Sequence, residues 1–184
     1  MRVADRNRDV RTTVILAVLC LVLQLALAPN IGLGNGRANF ALVFTVCLSL
    51  SAGGSAAVIA GFVSGLLFDL STTAPIGLMA FCLTVVGFAL GSSARERVAG
   101  DLGTSVAYAA MASLAVAIVY HIAMLLVGRT DSIVDALFLR ALPTALLTIV
   151  AFLPFAYYFA RVRTHGSALG RGRHSGGGLN RRGL

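Results

Sequence analysis

The sequence is poor in charge. Only 12% of its 184 residues are Asp, Glu, Lys or Arg, against about 25% in a soluble globular domain. That shortage excludes a free-standing water-soluble enzyme or binding domain. Acid is the scarcer sign, with seven Asp and Glu against fifteen basic residues and a net charge of +8. Lysine is absent and every basic residue is Arg, a bias we attribute to genome composition and not to function. Cysteine is sparse: Cys20, Cys47 and Cys82 each fall inside an apolar run, with no CxxC or Cys/His spacing. A redox pair or metal knuckle is therefore excluded, and the three read as small buried apolar residues. No Ser/His/Asp set, HExxH, Walker motif or dinucleotide fingerprint is present, so no catalytic residue, cofactor or metal is expected. Nucleic acid is an unsuitable partner, because the positive charge sits in the flanks with no interleaved aromatics.

What the chain does have is apolar sequence, 58% of the whole. The expected fold is all-α, a polytopic membrane protein of about six helices. Spans of ~20 residues each leave room for five or six helices and no separate soluble domain. Three regions follow: a polar cytoplasmic segment over 1–11, a membrane domain over 12–160, and a basic tail over 161–184. The tail is rich in Gly, Ser and Arg and is expected to be disordered. Near an anionic inner leaflet each Arg contributes about 1 kcal/mol of attraction; the plainer reading is a solubilising, topology-fixing tail.

Thr12–Ala28 is the first apolar run. Its basic start and Ala26-Leu27-Ala28 end resemble a signal peptide, but the membrane-like sequence downstream favours an uncleaved span. Residues 29–39 read as a Gly/Asn loop. Phe40–Leu70 is too long for one untilted span and short for two. Gly53-Gly54-Ser55 divides it into Phe40–Ala52 and Ser55–Leu70, each short enough to be tilted, re-entrant or only partly crossing. Ile76–Ala94 is the fourth run, and a charged loop over 95–101 follows it. Leu102–Val127 is the fifth. Gly128–Leu139 reads as a polar, partly amphipathic connector. Arg140–Ala160 is the sixth, with kinks expected at Pro143 and Pro154 and interfacial aromatics at Tyr157 and Tyr158.

Arginine distribution selects among the threadings. Six spans with the N-terminus inside place twelve Arg inside and three outside, the latter being Arg37, Arg129 and Arg140. Five spans give six inside and nine outside. Positive residues favour the cytoplasmic side, so six spans with both termini cytoplasmic are expected, and the turn over Asp69–Pro75 faces outward.

The centre of the chain is the stretch from Gly61 to Phe81. Gly53, Ala57, Gly61, Gly65 and Asp69 recur every fourth residue and so lie along one helical strip. Small residues at this spacing let a second helix approach closely in lipid. Gly87 and Gly91 repeat the spacing in the next run. Both pairs read first as internal packing and second as a dimer face. Asp69 ends the strip as the sole acid between Asp9 and Glu96. A carboxylate in apolar sequence needs a polar partner or a wet pocket. Ser71, Thr72 and Thr73 offer capping hydroxyls, and Pro75 suits the first turn of the next helix. Two further intramembrane polar residues stand out. Gln24 reads as interhelical glue. His121 reads as a hydrogen-bonded packing residue, with a proton relay or ligand contact as the sharper alternative.

Gly61-Phe-Val-Ser-Gly65-Leu-Leu-Phe-Asp69, followed by Pro75-Ile-Gly77-Leu-Met-Ala80, resembles the signature stretch of the MreD family of bacterial rod shape-determining membrane proteins. The size, the polar N-terminus, about six spans and a last span carrying Leu142-Pro143 resemble that family too. The resemblance implies a non-enzymatic component of the cell-elongation machinery in the bacterial inner membrane. It implies partners: an MreC-like protein, the MreB filament where present, and the wall-synthesis pair of RodA with a class B penicillin-binding protein. It makes Gly61, Gly65, Asp69, Pro75 and Gly77 a structural or partner signature. The competing expectation is the substrate-binding membrane subunit of an energy-coupling vitamin or metal transporter, with His121 and Asp69 contributing to a small-ligand site. Against it, the Ala-xxx-Ala docking pattern usual in the first helix of such subunits is missing, since Leu21 follows Ala17 at that spacing.

Overall fold

A computed structural model of the chain describes residues 2–93, 102–129 and 132–171. The expected charged loop over 95–101 and the distal tail over 172–184 lie outside them. Six α-helices account for nearly all of the described chain: α1 Arg2–Ala26, α2 Phe40–Ser51, α3 Gly54–Ser71, α4 Leu78–Ser93, α5 Leu102–Leu126 and α6 Leu142–Arg171. A π-helical turn over Asp135–Ala141 leads into α6, and a small hairpin, β1 Gly32–Leu33 with β2 Gly36–Arg37, joins α1 to α2. Three stretches are long and apolar enough to cross a membrane, namely Gly54–Ser71, Leu102–Leu126 and Asp135–Tyr158. Val10–Ala26, Phe40–Ser51 and Leu78–Ser92 are apolar but shorter.

The break between α2 and α3 falls at Gly53-Gly54. Their φ angles of +61° and +55° lie in the left-handed region that only glycine enters freely. Gly53 N donates to Leu48 O (3.3 Å) and Ala52 N donates to the same carbonyl (2.8 Å), which closes the end of α2. The chain then reverses into α3.

α2 is short because it is the core. Every residue from Phe40 to Ser49 is buried, and α2 packs against all five other helices. A helix apolar on all faces belongs inside a body, not against solvent or lipid. Its 12 residues rise about 18 Å, well short of the ~30 Å hydrocarbon thickness.

α3 is one-sided. Its buried residues are Ala57, Gly61, Gly65 and Asp69, the four-residue strip itself, while Ile59, Phe62, Val63 and Leu67 face outward. The strip meets α4 in the tightest pairing of the fold. A Cβ on Gly65 would come within 2.5 Å of Ala80 Cα, and one on Gly87 within 2.5 Å of the Ala57 carbonyl oxygen. A Cβ on Gly61 would collide with the Leu83 carbonyl, and one on Gly91 would lie 3.0 Å from Gly54 N. Each glycine pair therefore admits the backbone of the facing helix inside one chain, Gly61 and Gly65 that of Leu83 and Ala80, Gly87 and Gly91 that of Ala57 and Gly54.

Two expectations are corrected. The loop over 29–39 contains a two-stranded hairpin, turned at Gly34-Asn35, a dipeptide suited to a two-residue hairpin loop. The connector over 128–139 is helical from Ile133 onward, and Arg140 Nε bonds Asp135 Oδ2 at 2.9 Å across the π turn. The apolar stretch of the last span ends at Tyr158, beside the expected Ala160, and α6 itself runs on to Arg171.

Pro143 explains how hairpin and helix join. Lacking an N–H, it cannot bond the carbonyl of Leu139. That carbonyl instead accepts from Asn35 N of the hairpin at 3.2 Å. Gly36 sits on the same spot, where a Cβ would meet Pro143 Cβ and Thr144 N at 2.7 Å.

Overpacking a close backbone contact costs about 1–3 kcal/mol. Gly87→Ala is expected to lower the stability of the detergent-solubilised protein by that amount, read from its thermal unfolding midpoint. Val85→Ala, at a position 48% exposed on the same helix, is expected to change that stability by under about 0.5 kcal/mol.

Candidate functional site

Asp69 ends the buried strip of α3 and is 1% exposed. Its partner is the start of α4. Oδ2 accepts from Gly77 N (2.9 Å), Met79 N (3.1 Å) and Ala80 N (3.1 Å), and Oδ1 also lies 3.1 Å from Met79 N. The first N–H groups of a helix have no partner within it and carry the positive end of its dipole. A carboxylate there supplies both the acceptors and the opposite charge. Asp69 is thus a helix cap delivered from the preceding helix, eight to eleven residues upstream.

The turn between them is built for this. Pro75 O accepts from Leu78 N at 3.3 Å, and Gly77 takes a φ of +98°, the conformation that the third residue of a type II turn requires. Pro75 therefore opens the turn before α4 and does not lie in its first helical turn, because α4 starts at Leu78. The hydroxyls also act otherwise than expected. Ser71 Oγ donates to Phe68 O (2.8 Å) and Thr72 Oγ1 to Asp69 O (3.4 Å). They close α3 and do not cap α4. Gly61, Gly65, Asp69 and Gly77 together form one α3–α4 clasp, with half-buried Pro75 at its bend.

A second polar assembly surrounds the head of α2. Asn39 is 4% exposed, and its Oδ1 accepts from Leu42 N (3.0 Å). Asn39 N donates to Thr148 Oγ1 of α6 (3.0 Å), and Thr148 Oγ1 donates to Thr144 O (2.6 Å). Gln24 Oε1, from α1, accepts from Phe40 N (2.8 Å), which makes Gln24 a link between α1 and α2. Asn39 carries the most connections here and was absent from the expected site. Its signal was readable: an Asn directly before an apolar run is an N-cap pattern.

Gln24, Asn39 and His121 meet at one cavity of about 320 Å3. The end of α1, the hairpin, the head of α2, the end of α3, the head of α4, the second half of α5 and the head of α6 line it. The helices therefore run alternately towards and away from this end. His121 Nδ1 lies 2.9 Å from Ala117 O, and its ring meets Tyr120 edge to face at 5.4 Å. Tyr120 in turn meets Phe68 at 6.1 Å. Asp69 does not line the cavity; its oxygens are taken up by α4. Among the described residues no cluster of three or more His, Cys, Asp or Glu could hold a metal ion.

Removing the Asp69 carboxylate strands three N–H groups, and each hydrogen bond to a charged group contributes roughly 1.5–3 kcal/mol. Asp69→Ala is expected to destabilise the protein by about 3 kcal/mol or more, and Asp69→Asn by less. Hydrogen exchange at the amides of Gly77, Met79 and Ala80 should accelerate in the Ala variant before exchange along the rest of α4 does.

No curated protein and no solved structure matches the chain. The family described as rod shape-determining protein MreD matches over residues 7–162, a span that takes in α1 from residue 7, α2 to α5, the clasp, the cavity and the apolar part of α6. A membrane body locked by the Gly61–Gly77 stretch thus coincides with that match, and the chain belongs to the MreD family of rod shape-determining membrane proteins.

Proposed function

We propose that this protein is a non-enzymatic scaffold of the cell-elongation machinery in the bacterial inner membrane. It threads the bilayer six times, with both termini in the cytoplasm. Its work is to hold partners of peptidoglycan synthesis in register within the membrane plane. Those partners are an MreC-like protein, the MreB filament where one exists, and RodA with its class B penicillin-binding protein.

The observation that carries this reading is the clasp. Buried Asp69 serves structure: all four of its carboxylate contacts hold α4 against α3. A general acid or base must instead reach a substrate proton. A protein that commits its buried carboxylate to rigidity is suited to presenting a fixed surface. The transporter-subunit reading loses one of its two ligand candidates for the same reason. The alternation of the helix ends around the cavity supports the six-fold threading. Small-residue notches, the packing device of lipid-embedded helices, support residence in the membrane.

Cells that depend on this chain for rod shape are expected to round up when it carries Gly65→Leu or Asp69→Ala, and to lose co-purification with the MreC-like partner. Retention of both rod shape and partner by both variants would reject the scaffold. Periplasmic and cytoplasmic reporters test the threading. A reporter inserted at Thr73 should report outside, and one fused at Leu184 should report inside.

A further inference from the structure

We propose that the cavity at the hairpin end is a binding site for a phosphate-type oxyanion, either the headgroup of a membrane lipid or a soluble phosphate ester. This goes beyond the scaffold reading and does not depend on it.

The reasoning starts from hydrogen-bond supply. Gln24 Oε1 and Asn39 Oδ1 are fixed by backbone donors, Phe40 N at 2.8 Å and Leu42 N at 3.0 Å. Those bonds decide which end of each amide is oxygen, so each NH2 group is placed by elimination. Gln24 Nε2 has no acceptor among the described residues. Asn39 Nδ2 has only the thioether of Met79 at 3.5 Å, a weak acceptor, although the residue is 4% exposed. A buried donor without a good acceptor is expensive and calls for an explanation. The Arg37 guanidinium, at the rim, likewise has no carboxylate partner among the described residues; the ion pair they contain is Arg140–Asp135.

The lining residues thus carry NH donors from three elements: Gln24 from α1, Arg37 from the hairpin and Asn39 from the head of α2. It contains no Asp or Glu. Donor-rich, acid-free and positively charged surroundings suit an anion. Donors arriving from three separate elements suit a tetrahedral group, whose oxygens face several ways, over a planar carboxylate. Phe68, Leu42 and Val116 supply an apolar wall for the rest of the molecule. About 320 Å3 is at the small end of ligand sites, which run roughly 300–1,000 Å3. Polar groups within an apolar body are costly and mark functional positions, and here they gather at one opening.

The test uses the full-length protein in dodecyl maltoside micelles, which carry no phosphate, with the melting temperature as readout. One arm titrates glycerol 3-phosphate, the other dihexanoyl phosphatidylglycerol. At least one is expected to give a saturable upward shift, and the arm that does so identifies the source as solute or lipid. Arg37→Gln should weaken the apparent affinity at least tenfold. Asn39→Asp keeps the cap oxygen and exchanges the NH2 for oxygen, so it should abolish the shift. Arg129→Gln, which alters an exposed Arg outside the cavity, should bind as the parent does. Absence of a shift in both arms would overturn the site. So would a shift that Arg37→Gln leaves unchanged, which holds even where Asn39→Asp fails to fold.

Discussion

The structure depends on one negative charge meeting one helix end. An Asp in apolar surroundings is unfavourable, and so is a buried helix N-terminus with unpaired N–H groups. In this protein each removes the other's penalty. Asp69 cannot leave without exposing Gly77, Met79 and Ala80, and α4 cannot slide along α3 without breaking four contacts of 2.9–3.1 Å. The glycine notches set the same register by a different force. They bring backbone against backbone, so dispersion contacts accumulate where side chains would otherwise hold the helices apart. Cap and notch agree on one alignment, and that agreement defines a single α3–α4 geometry.

From that pair the rest of the body follows. α2 fills the space behind it, buried on every side and too short to reach across alone. A short helix leaves its polar ends inside the fold, where water is scarce. Its N-terminus is therefore satisfied by side chains from other helices: Gln24 from α1, and Thr148 from α6 through Asn39. The hairpin is drawn in by a matching deficit. Pro143 frees the Leu139 carbonyl, and Asn35 N takes it. The polar end of the bundle is thus a consequence of one short central helix and one proline.

Much of this was legible in the sequence. The helix break at Gly53-Gly54, the strip from Gly53 to Asp69 and the need of Asp69 for a polar partner all follow from spacing and burial cost. The partner itself was not legible. Backbone N–H groups carry no residue identity, so nothing in Gly77, Met79 or Ala80 announces that they will meet a carboxylate one turn away in space. The hydroxyls of Ser71 and Thr72 were the nearer candidates by local rules, and tertiary proximity overrode them. Asn39 and Gly34-Asn35 carry cap and turn signals of their own, but the Gly and Asn around them make the whole of 29–39 read as one loop. The π turn over Asp135–Ala141 has no residue pattern of its own. Its charges read as a polar, partly amphipathic connector, and the structure sets the Arg140–Asp135 pair along a helix.

The distribution of rigidity bears on what such a body can do. α3 and α4 are fixed twice, by notch and by cap, and α2 is held from all sides. α1 is held differently. Among its described side chains only Leu16 and Cys20 are buried, while Val14, Ile15, Val18, Val22 and Leu25 face outward. Its main directional tie is Gln24 to Phe40 N. A sideways movement of α1 would therefore cost little apolar burial but would uncap α2 and open the polar cavity beside it. The same glutamine thus joins the least embedded helix to the most buried one, and whatever occupies the cavity is coupled through it to the position of α1.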